Sequence, residues 1–100
     1  MPNPKLTAAK EAAEMLAAQA LTFIASDIET LGRFLALTGV DPRSIRSAAH
    51  DPQFLSSVLE YISSDEKLLV DFAREKSFQP GDVSRALMVL RGPGWERETA

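Results

Sequence analysis

Residues 25–45 read ASDIETLGRFLALTGVDPRSI, and residues 63–83 read SSDEKLLVDFAREKSFQPGDV. Set one under the other, their landmarks coincide: Ser26/Ser64, Asp27/Asp65, Leu31/Leu69, Phe34/Phe72, Val40/Phe78, Pro42/Pro80 and Ile45/Val83, each pair separated by 38 positions. The agreement runs on upstream, where Leu21-Thr22-Phe23-Ile24 matches Leu59-Glu60-Tyr61-Ile62, and downstream, where Ala48 matches Ala86. Core and corner positions agree while surface positions differ. That is the pattern of one packing solution used twice, in which each half reads as helix, Ser-Asp corner, helix, proline corner, short helix.

Local signals place the helices. Asn3-Pro4 is a good start, because Asn caps and Pro tolerates the first helical position. An Ala-rich helix then runs to about Ala25, with Leu6, Ala9, Ala13, Leu16, Ala20, Phe23 and Ile24 on one stripe. Its stripe is weak before Leu16, so its early turns are free to dock elsewhere. Ser26 with Glu29 three residues later predicts a capping box for the second helix. Leu31, Phe34, Leu35 and Thr38 face inward there, and Gly39 supplies the left-handed residue that ends it. Val40-Asp41-Pro42 opens a short third helix reaching about His50, with Val40 and Ile45 placed as a hydrophobic staple.

Asp51-Pro52 repeats the start for a fourth helix carrying Phe54, Leu55, Val58, Leu59 and Ile62 inward. A fifth spans about Asp65 to Lys76 with Leu68, Leu69, Phe72 and Ala73 inward. A sixth opens at Phe78-Gln79-Pro80 and buries Val83, Ala86, Leu87 and Leu90, with Phe78 and Val83 as staple partners. Gly92-Pro93-Gly94 ends it, leaving 92–100 as a tail that reads as flexible. No stretch alternates as a strand does. The expectation is an all-α chain: residues 1–100 as one bundle of about six helices, built from two pseudo-repeated three-helix halves at about 16–48 and 54–86.

The combination LxxQALxFIASD, LGRFLALTGVDP, DPQFLSSVLEYI and DEKLLVDFA resembles an uncharacterised bacterial family, a domain of unknown function whose members are short, about 100 residues, and helical. The carriers include Gln19-Ala20-Leu21, Asp27, Leu31-Gly32-Arg33-Phe34-Leu35, Gly39, Asp41-Pro42, Phe54-Leu55 and Phe72, within roughly residues 14–90. The resemblance implies a stand-alone bacterial protein and brings no catalytic residues with it.

Composition limits the chemistry. The 100 residues carry a net charge of −3, which disfavours a generally basic nucleic-acid binder. Cysteine is absent, removing disulfides and thiolate chemistry and fitting a reducing, cytoplasmic setting. No apolar run approaches the ~18 residues of a membrane span. The single histidine, His50, lacks the further His ligands a metal centre of that type needs, and no base can be assembled around any serine. Asp65-Glu66 and Asp71 read as helix-dipole residues rather than acid/base groups. The expectation is a non-enzymatic chain that needs no metal or cofactor.

Two binding readings remain. Residues 73–87, ending in VSRAL, have helix-turn-helix spacing, and such a helix reads base edges from its first turns. In that case Arg43, Arg46, Arg85 and Arg91 would contact DNA. Few cations are available for phosphates, Asp82 would repel them, and a duplicated helix corner produces the same spacing. The preferred reading is a protein-interaction or regulatory module that binds an unidentified protein or a second copy of itself. Trp95, in the charged tail, is either a lid on the core or an exposed partner anchor. Arg33 reads as solvated or cap-paired.

Overall fold

The computed structural model describes residues 4–91, with side chains from residue 8 onward. The expected Asn3 cap, the Leu6 side chain, the 92–100 tail and Trp95 lie outside the described residues. Six α-helices follow one another: α1 (Pro4–Ala25), α2 (Ile28–Thr38), α3 (Ile45–Ala48), α4 (Pro52–Ser63), α5 (Glu66–Lys76) and α6 (Pro80–Arg91). A 3-10 turn, Pro42–Ser44, leads into α3. Among the described residues there is no strand.

The corners show why the chain turns where it does. Asp27 caps α2 by accepting from the Glu29 amide at 3.1 Å, and it also takes the Thr30 hydroxyl at 2.9 Å. The expected Ser26–Glu29 capping box does not form. The Asp27 carboxylate lies one residue closer to the helix, and Ser26 Oγ donates back to the Phe23 carbonyl at 2.7 Å, finishing α1 instead. Ser64 does the same toward the Tyr61 carbonyl at 2.7 Å, and Asp65 caps α5 through the Leu68 amide at 3.2 Å. Asp41 and Asp51 cap the 3-10 turn and α4, each just before a proline. The Asp27, Asp51 and Asp65 caps contribute about 1 kcal/mol each.

Helix ends follow the same economy. Gly39 ends α2 in the left-handed region at φ 72°, its amide donating to the Leu35 carbonyl. Ser77 ends α5 in the same region at φ 61°, its amide donating to the Ala73 carbonyl.

The core lies where α1, α4 and α6 meet. α1 contributes Ala13, Leu16, Ala17, Ala20, Leu21 and Ile24. Ala17 and Ala20 are fully buried, and their small side chains let neighbouring helices approach closely. α4 buries the five residues expected of it, Phe54, Leu55, Val58, Leu59 and Ile62. α6 buries Val83, Ala86 and Leu90, with Leu87 half-buried. In α2 only Phe34 is fully inside, while Leu31, Leu35 and Thr38 are half-buried. α5 likewise buries only Phe72 and Ala73, so α2 and α5 flank the core and each inserts one ring.

Those two rings are placed reciprocally. Phe34 meets Tyr61 of α4 at 5.4 Å between centroids, and Phe72 meets Phe23 of α1 at 5.4 Å. Phe34 also touches the Phe54 ring, and Phe72 the Phe78 ring. One expected equivalence is uneven. α6 is twelve residues long and packs on both α1 and α4, whereas α3 has four residues and buries none of them fully. His50 lies beyond the end of α3, not inside it.

Candidate functional site

The basic residues of the two proline corners are mostly engaged locally. At the start of α6, one Asp82 oxygen accepts from the Gln79 amide at 3.0 Å, and the other takes the Arg85 guanidinium at 2.8 Å. Asp82 therefore closes the first turn of its own helix, and Arg85 is drawn onto it. Arg43 lies against Asp41, with Nη2 and Oδ2 3.1 Å apart. That guanidinium and the Arg43 amide hold the Asp41 carboxyl below its usual range, against a slight opposing effect of burial. Arg91 pairs with Glu60 of α4, and Arg46 is exposed with no ion pair among the described residues.

The corner geometry bears on groove reading. The face of α6 left exposed carries Ser84, Arg85, Met88 and Arg91. In the first corner, α3 has only four residues and follows directly on the 3-10 turn Pro42–Ser44.

Among the described residues, surface grooves flank the core. The first, about 600 Å³, lies between the end of α2, the α3 corner and α4, and is lined by Leu37, Val40, Ala48, Asp51, Gln53, Phe54, Ser57, Glu60 and Tyr61 among others. The second, about 490 Å³, lies between α1 and α6, with Ala9, Ala12, Ala13, Met15, Leu16 and Gln19 facing Phe78, Ala86 and Val89. Asp82 and Arg85 form its polar rim. Six lining positions correspond across the two grooves at a step of 38: Val40/Phe78, Ala48/Ala86, Asp51/Ala13, Gln53/Met15, Phe54/Leu16 and Ser57/Gln19. In the first, the corner at 40–48 lies over α4; in the second, the corner at 78–86 lies over α1.

The third groove, about 360 Å³, is polar and brings together Asp27, Thr30, Arg33, Asp65, Lys67 and Asp71. Its carboxylates are occupied: Asp27 and Asp65 cap helices, and Asp71 pairs with Lys67 at 3.1 Å. Among the described residues no group of three or more His, Cys, Asp or Glu is placed to hold a metal. Of the basic residues singled out in the sequence, Arg85 lines the α1–α6 groove, whereas Arg43, Arg46 and Arg91 line none of these grooves.

The family model described as Protein of unknown function (DUF3572) matches residues 10–93. The chain belongs to the DUF3572 family. A search of curated proteins and a search of solved structures returned no match. The span of the DUF3572 match takes in α2 to α6, most of α1, and the lining of each groove apart from Ala9. No helix among the described residues is long and apolar enough to cross a membrane.

Sequence reasoning missed the grooves themselves. Their signal was present as large apolar side chains off the core stripes: Met15 is 65% exposed at the edge of the second groove, and Leu37 75% exposed at the edge of the first.

Proposed function

We propose that this DUF3572 chain is a non-enzymatic protein-interaction module of the bacterial cytoplasm, built from two intertwined copies of one helical unit at about 16–48 and 54–86. The exchange of ring partners supports the doubling: Phe34 with Tyr61 and Phe72 with Phe23 are one contact written twice with its halves swapped, as at an isologous interface. The corresponding linings of the two grooves support it independently.

The observation that carries the interaction reading is the open, largely apolar α1–α6 groove with Met15 at its edge. Met is unbranched and polarisable and adapts to varied apolar surfaces. The partner is an apolar protein segment, or a second copy of the chain. Against catalysis stand the capped and paired carboxylates and a lone, exposed His50. Against DNA binding stand the pairing of Arg43, Arg85 and Arg91 with carboxylates and the shortness of α3.

A photoreactive amino acid at Met15 of the intact chain, set beside one at exposed Arg74 of α5, tests the reading in cells. A discrete adduct at Met15 and none at Arg74 is expected. Absent or equal adducting at both positions overturns it. Duplex DNA affinity falling steeply with salt would instead favour the helix-turn-helix reading.

A further inference from the structure

α2 and α5 are alike in length and place: each has eleven residues, flanks the core and inserts one ring. Their outer faces differ. α2 is exposed at six positions, Ile28, Glu29, Gly32, Arg33, Ala36 and Leu37. A step of 38 takes these to Glu66, Lys67, Val70, Asp71, Arg74 and Glu75 of α5, where all but Val70 are charged. That is a face made for water, whereas α2 keeps charge only at Glu29 and Arg33. Ile28 and Leu37, at its two margins, are 85% and 75% exposed, more than any other large apolar side chain among the described residues.

Lys67 and Asp71 of α5 close an ion pair across one helical turn at 3.1 Å. Glu29 and Arg33 have the same spacing in the more favourable order, acid first. Among the described residues, neither makes an ion pair. Gly32 lies between them in mid-helix, where glycine costs roughly 1 kcal/mol against alanine. Its φ is not positive, and beyond its chain neighbours and the helix backbone nothing lies within 4 Å of where a Cβ would stand. Within one chain, neither backbone conformation nor close packing calls for glycine at this position. A second helix could approach closely there.

The two charges are self-complementary in one arrangement. Two copies of a helix related by a two-fold axis across their length run antiparallel, so that if residue i meets j, then j meets i. With the axis beside Gly32, Glu29 of each copy comes opposite Arg33 of the other, offset by only about 3 Å along the helix. Ile28 then stands level with Ala36 of the second copy, a large side chain beside a small one.

We propose that two copies of the chain pair through α2, antiparallel about a two-fold axis beside Gly32, with Glu29 of each against Arg33 of the other. Two helices this short bury an area in the range of weak contacts, below about 1,200 Å², so the dimer forms only at high chain concentration. The symmetric ion pairs set its register more than its strength. α2 contributes to neither wall of the α1–α6 groove, so the pairing stands whether or not that groove takes a partner.

Sedimentation equilibrium of the intact chain over a broad concentration series reads the pairing. The expected mass rises from that of one chain toward that of two. Ala36→Arg gives α2 the charge that α5 carries at Arg74, and arginine is a good helix former. It should hold the chain at the single mass while the helical circular dichroism signal stays intact. Glu29→Arg and Arg33→Glu should each weaken association alone, because each sets like charges opposite one another. Mixed in equal amounts, the two variants should associate again, since every pair between copies is then opposite in sign. The chain has no cysteine, so Gly32→Cys places a lone thiol beside the axis and Val70→Cys a control thiol on α5. Under mild oxidation the first should link into dimers several-fold faster than the second. A single-chain mass at every concentration, an association that Ala36→Arg leaves in place, a mixture no tighter than its components, or equal linking at 32 and 70 overturns the proposal.

Discussion

Gly39 and Ser77, 38 positions apart, hold the same left-handed backbone, at φ 72° and 61°, and each amide closes the helix before it. The glycine adopts that conformation without steric cost, whereas the serine's Cβ costs it roughly 1 kcal/mol or more. Ser77→Gly should therefore raise stability by about 1 kcal/mol in urea unfolding. Gly39→Ala should lower it by a similar amount. Beyond its two chain neighbours, Gly39 has open space where a Cβ would stand, so that loss comes from backbone conformation and not from crowding.

Phe34 and Phe72 are the single rings that α2 and α5 drive fully into the core. Truncating either to Ala leaves a cavity and should cost about 3–5 kcal/mol. If the halves are equivalent, the two losses will match closely. A loss at one position more than twice that at the other, measured by denaturant unfolding, would count against the doubling.

Asp82 and Arg85 make unequal contributions to α6. Asp82→Ala removes the acceptor for the Gln79 amide and should cost about 1 kcal/mol. Arg85→Ala removes only an exposed i,i+3 pair and should change stability by less than about 0.5 kcal/mol. Thermal melts of the two variants separate these outcomes.

Asp41 carries a pH dependence that follows from its geometry. Its carboxyl is held below the usual 3.8, first by the Arg43 guanidinium and then by the Arg43 amide. A carboxylate with a depressed folded-state pKa adds stability above its unfolded value, and that stability is lost as pH falls through the lower, folded value. The Asp41 carboxyl resonance should therefore titrate below 3.8 in the folded chain. Arg43→Ala should move the midpoint upward, since only the backbone donor then remains.

The helices and their inward faces were legible because 3.6-residue periodicity and Asp-Pro starts are local signals. All five buried residues of α4 follow from them. The choice between Ser26 and Asp27 as cap was not legible. Both side chains can accept from the first turn, and only the completed corner shows Ser26 turned back to Phe23. Ala17 escaped as a core residue because the burial of an alanine depends on how closely the neighbouring helices approach. The grooves escaped for a related reason. Each is bounded by segments remote in sequence, such as Val40 with Phe54 and Leu16 with Ala86. No window along the chain contains both walls.

The exchange of rings also sets when this protein can fold during its synthesis. Phe34 waits for Tyr61, and Phe23 waits for Phe72, so neither ring pair near the front of the chain closes until much of the rest has been made. As the chain leaves the ribosome, α1 and α2 would emerge with their apolar faces uncovered. A translating complex stalled with only residues 1–50 outside the tunnel should therefore be cut readily by protease. One stalled with 1–91 outside should resist.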